Sequence, residues 1–522
     1  MKGTGHSFLL FILKGILCGC WIITWQILSL QDANQKAVYI MKTNSALLFI
    51  ALAICACTPE YNEGEVSYRF WDGYDGTALP DFSTLGTPTE TGKAATFTLG
   101  THSDATIDHF AADFTSTLSI AEEREYGFVL YSDDDSRLLI DGEPLIELNA
   151  NGSYTIAKRF LGKGRHDVEV QYFEKDGRQS LSLSMYSEGE LPREYGTTAP
   201  GDEVPAFVVP QVTEAFERYK AWKGDDETVV FPIFTDVHAH TDCRFHHIGY
   251  VAGCSGIWNF DFMLNLGDMG INIGPAHVSR DITNTIMSRT KDEMMKFPGV
   301  FLFTPGNHDW DAGEGTLNDD DRFQKFFQEP GLERAGGNLH LTPGKVYHYY
   351  DIPEKHFRII LLNSCGTGTL QNMYYVFDDE QVGWLKDLVA ATPADMSILV
   401  ACHYMPHPNG RWHNTPAPYN LRSNERMMDV LAELKTRHNI VGLFCGDSHF
   451  NMHEVDRNVN YYISQGLGYC GREQLMPGTK RADYDVNESL CCDVVAVKPA
   501  KGEVHTFRIG AGGTEFDYEF SY

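Results

Sequence analysis

A chain of 522 residues with 43% hydrophobic content is long enough to bury two or three separate cores and too apolar to be disordered. Its formal net charge of −29 excludes binding to a nucleic-acid backbone, which needs a surplus of Lys and Arg, and disfavours long-range steering of a phosphate. Affinity for a phosphate must then come from local positive charge, which bound divalent metals supply.

From Met41 the chain carries a Lys, the apolar run ALLFIALAI and then Ile54-Cys55-Ala56-Cys57. A charged start, a short apolar stretch and a small residue before a cysteine resemble a bacterial lipoprotein signal. The resemblance makes Cys57 the lipidated first residue of a mature exported protein, anchored at the outer membrane, in the periplasm or at the cell surface. Leu17-Cys18-Gly19-Cys20 is a rival lipobox, but Lys14 interrupts the apolar stretch before it, so Met41 is the expected start. A single membrane anchor within roughly residues 7–30 is the alternative. Residues 1–57 are expected to be leader. The remaining cysteines show no zinc-finger spacing. Cys402 and Cys445 close predicted buried strands, where a free Cys acts as a small hydrophobe, and Cys243 and Cys254 flank a loop whose pairing sequence leaves open.

After a short acidic linker, residues 66–186 alternate apolar and polar side chains in short segments such as YGFVLY, RLLIDG, DVEVQYF and LSLSMY. This period of two with frequent turns predicts an antiparallel sandwich or barrel. The segments FWDGYDGTALPDF, SDDDSRLLIDG and LGKGRHDVEVQYF resemble the PA14 domain, a β-rich module often attached to carbohydrate-active or adhesive proteins. In sugar-binding members two adjacent aspartates hold calcium, and Asp133 and Asp134 occupy that place, with Asp135 where a Gly is usual. The resemblance thus implies an all-β domain over residues 58–190, with calcium and a glycan as its ligands; the alternative is that DDDS is only a solvated turn.

Residues 187–203 are rich in Gly, Pro and Glu and read as a linker, and QVTEAFERYKAW has helical spacing, so residues 191–228 form linker and helix. Beyond residue 228, strand-like runs alternate with helical stretches such as EQVGWLKDLVAAT and NERMMDVLAELKTRH, which argues for a layered α/β domain over residues 229–522.

Within that domain VVFPIF, FDFML, VFLF, SILV and IVGLF are strands buried on both faces, and a polar cluster follows each. The clusters read FTDVHAH, NLGDMG, TPGNHD, ACHYMPH and CGDSHF. Open α/β sheets build their sites at the carboxyl ends of strands. Asp, His and Asn gathered there are the donor set of a hard or borderline metal. Two divalent ions roughly 3.5–4 Å apart clamp a substrate for in-line attack and need one carboxylate shared between them.

The ordered set of D-x-H, GD, GNHD, a strand-terminal His and G-x-x-H resembles the calcineurin-like metallophosphoesterase family. The resemblance implies an α-β-β-α layered sandwich and a phosphoesterase that hydrolyses phosphate mono- or diesters with a metal-bridging hydroxide. It places Asp236, His238 and His449 on the first metal, Asp268 between the two, and Asn307 and His403 on the second. His308 stands where the family protonates the leaving group, and its neighbour Asp309 is expected to orient it. The family's last motif is G-H-x-H; here Asp447 replaces the first histidine. A carboxylate is a harder donor than imidazole, so Asp447 favours Mn or Fe over Zn at the second site, unless it is too short to reach. Arg244, Arg411, His413 and Arg422 are expected to grip substrate oxygens at the rim. His240, Asp242, His246, His247, His407 and His453 read as ordinary loop or capping residues. The rival from another class is a glycan-binding surface lipoprotein whose hydrolase domain has a weak or lost second metal site.

Overall fold

The computed structural model describes residues 61–522 except 105, 150–151, 198–205, 239–244, 271–273, 312–314, 317–327, 333, 366–376, 409–417, 468–479 and 481–489. Cys57, Cys243, Arg244, Arg411 and His413 lie outside the described residues. Among the described residues no helix is long and apolar enough to cross a membrane.

Among the described residues the first part, residues 61–194, is all β apart from one short 3-10 turn at Gly100–Ser103, as its period of two predicts. It contains β1 (Tyr61–Glu63), β2 (Val66–Asp72), β3 (Glu90–Ala94), β4 (Phe110–Ile120), β5 (Arg124–Ser132) and β6 (Ser136–Ile140). They are followed by β7 (Glu143–Leu148), β8 (Ser153–Leu161), β9 (Gly164–Glu174), β10 (Leu181–Ser187) and β11 (Arg193–Glu194). One sheet has the order β3-β2-β4-β9-β6-β7 with β1 beside β4, and the other β11-β10-β5-β8. Phe114, Leu118, Phe128, Leu130, Val170 and Leu183 interdigitate between them as a sandwich core.

A helix, α1 (Val208–Lys223), leads into the rest of the chain, where two sheets lie face to face. The first contains β12 (Val229–Phe234), β13 (Phe262–Asn265), β14 (Val300–Phe303) and, beyond the hairpin β15 (Trp310–Asp311) and β16 (Gly315–Thr316), the late strands β24 (Cys491–Lys498), β25 (Glu503–Gly510) and β26 (Glu519–Ser521). Its order is β14-β13-β12-β24-β25-β26, with β12, β13 and β14 parallel. The second runs β17 (Leu339–Leu341), β18 (His348–Ile352), β19 (Phe357–Leu361), β20 (Ser397–Ala401), β21 (Asn439–Cys445), β23 (Val459–Ile463) and β22 (Met452–Asp456).

Each central strand splits its side chains between two cores, which is why the runs are apolar throughout. In β12, Val229, Phe231 and Ile233 meet Phe357, Ile359 and Leu361 of the facing sheet, while Val230 and Phe234 turn outward. Outside the first sheet lie α1, α2 (Phe245–Gly253) and α3 (Arg280–Met294). Outside the second lie α4 (Asp379–Ala391), capped by Asp378, and α5 (Pro418–Lys435). The result is four layers, helix–sheet–sheet–helix. The β sandwich is not a loose appendage: Val129, Tyr186 and Leu191 share one apolar cluster with Ala276, Ile282 and Ile286, and Arg289 pairs with Glu190 at 2.8 Å.

Candidate metal centre

The five polar clusters meet at one end of the paired sheets. β12 delivers Asp236 and His238, β13 delivers Asp268, β14 leads to Asn307, His308 and Asp309, β20 to His403, and β21 to Asp447 and His449. The loops are tied to one another through the backbone: Asp236 N–H donates to Gly267 O at 2.8 Å, His238 N–H to Asp268 O at 3.1 Å, and Gly446 N–H to His403 O at 2.8 Å.

Backbone strain is concentrated here. Asp236, His238, Asp268, Asp447 and His449 all have φ between +48° and +65°, the left-handed region that side chains other than Gly seldom adopt. Five such residues in one site mean that the surrounding sheets hold each turn in place against its local preference. A Cβ at Gly267, itself at φ +97°, would collide with the Gly306 backbone nitrogen, and a Cβ at Gly306 with the Asp268 carboxylate, so both loops need glycine to approach.

Side-chain oxygens and ring nitrogens of Asp236, His238, Asp268 and His449 all lie within 4.8 Å of one another, and all four residues are buried. His449 Nε2 is 3.1 Å from Asp236 Oδ1, and His238 Nε2 is 3.7 Å from both Asp236 Oδ1 and Asp268 Oδ2. On the other side of Asp268, His403 Nε2 lies 3.3 Å from Asp268 Oδ2, 3.1 Å from Asn307 Oδ1 and 3.6 Å from Asp447 Oδ1. Asp268 therefore stands between two donor groups. His403 Nδ1 is 2.7 Å from Leu266 O; a carbonyl only accepts, so Nδ1 carries the hydrogen and Nε2 faces the carboxylates.

The electrostatics point the same way. Burial alone would raise Asp236, yet His449 and His238 hold it well below the usual range. Against burial, His403, His308 and His238 bring Asp268 down to about 2. Burial would lower His403, but Asp268, Asp236 and Asp447 outweigh it and keep the ring protonated well above its ordinary pKa. A buried pocket of carboxylates that holds a proton this firmly is one that a cation enters by displacing that proton. The donor set fits divalent metals.

Asp309, expected to orient His308, has a further role that the sequence does not show. Its carboxylate receives three backbone N–H groups, from Asp268, Met269 and Gly306, so it holds the loop that carries Asp268. Burial, with Asp268 close by, pushes it up to about 7. The backbone N–H of His308, a half-buried residue, donates to Asp268 Oδ1 at 2.8 Å, and its ring lies 5.3 Å from that of His238. Arg422 falls on α5, with its side chain outside the described set. His407 faces Asp456 at 3.9 Å and His453 faces Asn460 at 3.1 Å, in keeping with structural roles.

A second acidic group lies in the β sandwich. The Tyr172 hydroxyl sits between Asp133 Oδ1, 3.0 Å away, and the Glu174 carboxylate. Ser180 N–H donates to Asp133 Oδ1 at 2.9 Å and Lys175 N–H to Asp134 Oδ2 at 3.0 Å. Asp133 Oδ2 and Glu174 Oε1 are buried without a hydrogen-bond donor. Burial, reinforced by Asp133 and Asp134, pushes Glu174 up to about 8. Glu174 escaped the sequence reading, although a signal was there: in β9 it continues the inward series Val168, Val170, Tyr172.

Residues 72–198 match the PA14 domain family. No curated protein matches the chain. Among solved structures, a PA14 sugar-binding domain from an RTX adhesin is 16% identical, with 25% of this chain and 94% of that one covered and a TM-score of 0.20. The purple acid phosphatase PPD1 from yellow lupin (Lupinus luteus) seeds is 9% identical over 88% of this chain and 93% of that one, with a TM-score of 0.38. GAP50, the anchor in the inner membrane complex of Plasmodium, is 12% identical over 56% of this chain and 88% of that one, with a TM-score of 0.35. The β sandwich of this chain, over residues 72–198, is a PA14 domain.

Proposed function

We propose that the α/β domain is a calcineurin-like, metal-dependent phosphoesterase. The observation that carries this is Asp268 standing between two buried donor groups, His238 with Asp236 and His449 on one side and His403 with Asn307 and Asp447 on the other. Two divalent ions held there would supply Lewis-acid polarisation of a phosphate ester and activation of water. Mn or Fe suits the second group, because Asp447 and Asn307 offer oxygen donors. The protein's own contribution is positional. Asp309 locks the loop of Asp268, Leu266 O fixes the His403 tautomer, and the paired sheets keep the donors rigid. His308, partly exposed beside the bridging carboxylate, carries the proton to the leaving oxygen.

The PA14 domain serves glycan attachment in this reading, with calcium held by Asp133 and Asp134 and with Glu174 completing the group. The leader around Cys57 makes the protein an exported, lipid-anchored one; radiolabelled palmitate that failed to enter the wild type would remove that part. The rival function, a glycan-binding lipoprotein with a lost second metal site, differs in metal content. The central test loads residues 58–522 with Mn, Fe or Zn and assays generic phosphomono- and diesters beside Asp268→Ala. A wild type no faster than the variant on every ester would sink the enzymatic reading.

A further inference from the structure

We propose that Cys402 and Cys445 form a reversible disulfide that ties together the ends of the two strands feeding the second donor group. Ala401 pairs with Phe444 in the parallel register of β20 and β21, which brings the next residue of each strand, Cys402 and Cys445, side by side. Their sulfurs lie 3.5 Å apart, and both thiols point to the same acceptor, Tyr404 O, at 3.1 and 3.4 Å. A disulfide needs sulfurs about 2.0 Å apart, so from 3.5 Å the pair closes by about 1.5 Å, a movement two rotamer adjustments can supply. Adjacent strands set the backbone spacing, so no change of topology is required.

Both side chains are fully buried, and simple hydrophobic filling does not require two sulfurs in contact aimed at one carbonyl. The chemistry balances with a low-molecular-weight disulfide as oxidant. The thiolate of one cysteine attacks a sulfur of the reagent and expels one reagent thiol, leaving a mixed disulfide. The second cysteine's thiolate attacks the protein sulfur of that adduct and expels the other reagent thiol. Two protons and two electrons leave the protein, and the reagent disulfide becomes two thiols. Burial makes the exchange depend on transient opening of the strand ends, so both formation and reduction of the bond are slow.

The bond has a consequence for the site. Cys402 is bonded directly to His403, and Cys445 stands two residues before Asp447, with Gly446 N–H donating to His403 O at 2.8 Å between them. Drawing the sulfurs together moves both second-group donors, so the reduced and oxidised proteins should differ in how they hold the second metal. That consequence rests on the metallophosphoesterase reading; the bond itself does not.

The test uses the full chain isolated without reductant, one portion reduced with dithiothreitol and the other incubated with oxidised glutathione. Each is denatured in the presence of an alkylating reagent and mapped by mass spectrometry. The expected result is a linked peptide pair holding Cys402 and Cys445 in the oxidised portion alone and a fall of two in free thiols. Cys402→Ser should abolish both. Alkylation of both cysteines in the oxidised portion, or linkage of either to a different cysteine, overturns the proposal whatever the protein's activity. Manganese content is read in parallel: a linked pair with the same manganese in both portions overturns the coupling to the site.

Discussion

The Asp309 carboxylate receives the backbone N–H of Asp268 at 2.7 Å, and with it those of Met269 at 2.7 Å and Gly306 at 2.9 Å. A residue beside the proposed proton donor thus works on the shape of the loop that carries Asp268. Replacing it with Ala leaves three buried N–H groups without an acceptor. Each orphaned group costs about 1–3 kcal/mol, offset in part by relief of repulsion with Asp268. Asp309→Ala is expected to lower unfolding stability in urea by about 2–4 kcal/mol and to weaken metal binding, while Asp309→Asn, which keeps one acceptor oxygen, loses less of both. Equal stability of wild type and Asp309→Ala would remove this role.

Arg508 and Asp493 form the other buried hub. Arg508 Nε donates to Asp493 Oδ1 at 2.7 Å, and Asp493 Oδ2 accepts from Tyr462, Ser464 and Asn451. Arg508 also reaches Asn451, two residues past His449, so the hub links the sheet of β24 and β25 to the loop of Asp447 and His449. Asp493→Asn strands the guanidinium in the core and should cost about 3–5 kcal/mol, the usual result of removing one partner of a buried pair. Arg508→Met with Asp493→Leu together should cost less than either alone, which a double-mutant cycle by urea unfolding measures.

Much of the α/β domain could be read in the sequence because its strands are buried on both faces. A run such as VVFPIF admits few other readings, and a polar cluster directly after it must sit at the strand's carboxyl end. The positions of Asp236, His238, Asp268, Asn307, His403 and His449 at the ends of those strands were legible in this way. The long-range partners of Asp309 were not, because the N–H groups of Asp268 and Met269 lie 41 and 40 residues earlier and are brought near only by the parallel pairing of β13 and β14. Glu174 and the Arg508–Asp493 pair left a fainter trace, a buried charge among apolar residues of its strand. Such a charge announces a partner without naming it, since the partner depends on register, here Asp493 opposite Arg508.

Glu174 gives a pH prediction in the PA14 domain. Burial, with Asp133 and Asp134 adding, raises its folded pKa from an ordinary 4.5 to about 8. Between those values the folded state binds more protons than the unfolded one, so this group's contribution to stability is full below pH 4.5 and is lost as pH rises through 8. In chelator the wild type should therefore unfold at lower urea at pH 8 than at pH 5, and Glu174→Gln should reduce that fall. Calcium should narrow the difference for the wild type at pH 8 and leave Glu174→Gln less responsive. A wild type and variant with parallel pH profiles would refute the shift.

His308 tests the proton-transfer step apart from metal binding. The residue is half-buried, and burial pulls its pKa below the ordinary value, so the protonated form that can donate gains population as pH falls. His308→Asn should keep the metal content and lower turnover by about 10²–10⁴-fold on esters with poor leaving groups, with a smaller loss on nitrophenyl esters that need no protonation. A uniform loss across leaving groups would assign His308 to phosphate binding instead.

Asp447 decides between the enzyme and the binding protein. Its Oδ1 is 3.6 Å from His403 Nε2, its backbone N–H donates to Asp236 Oδ2 at 3.0 Å, and its φ of +65° aims a short side chain from a strained turn. The backbone bond places the residue whatever its side chain, so Asp447→Ala should fold while losing one donor of the second group. Metal content should then fall from about two equivalents to about one, and ester hydrolysis should fall with it. Asp447→His restores a nitrogen donor and should return the second equivalent with a preference moved from Mn or Fe toward Zn. The contrast between the two variants separates ligation from structure, because a merely structural aspartate would not change the metal preference when exchanged for histidine. Wild-type protein that binds one equivalent or none, with Asp447→Ala the same, would mean that the second group is not a metal site and that the PA14 domain carries the function.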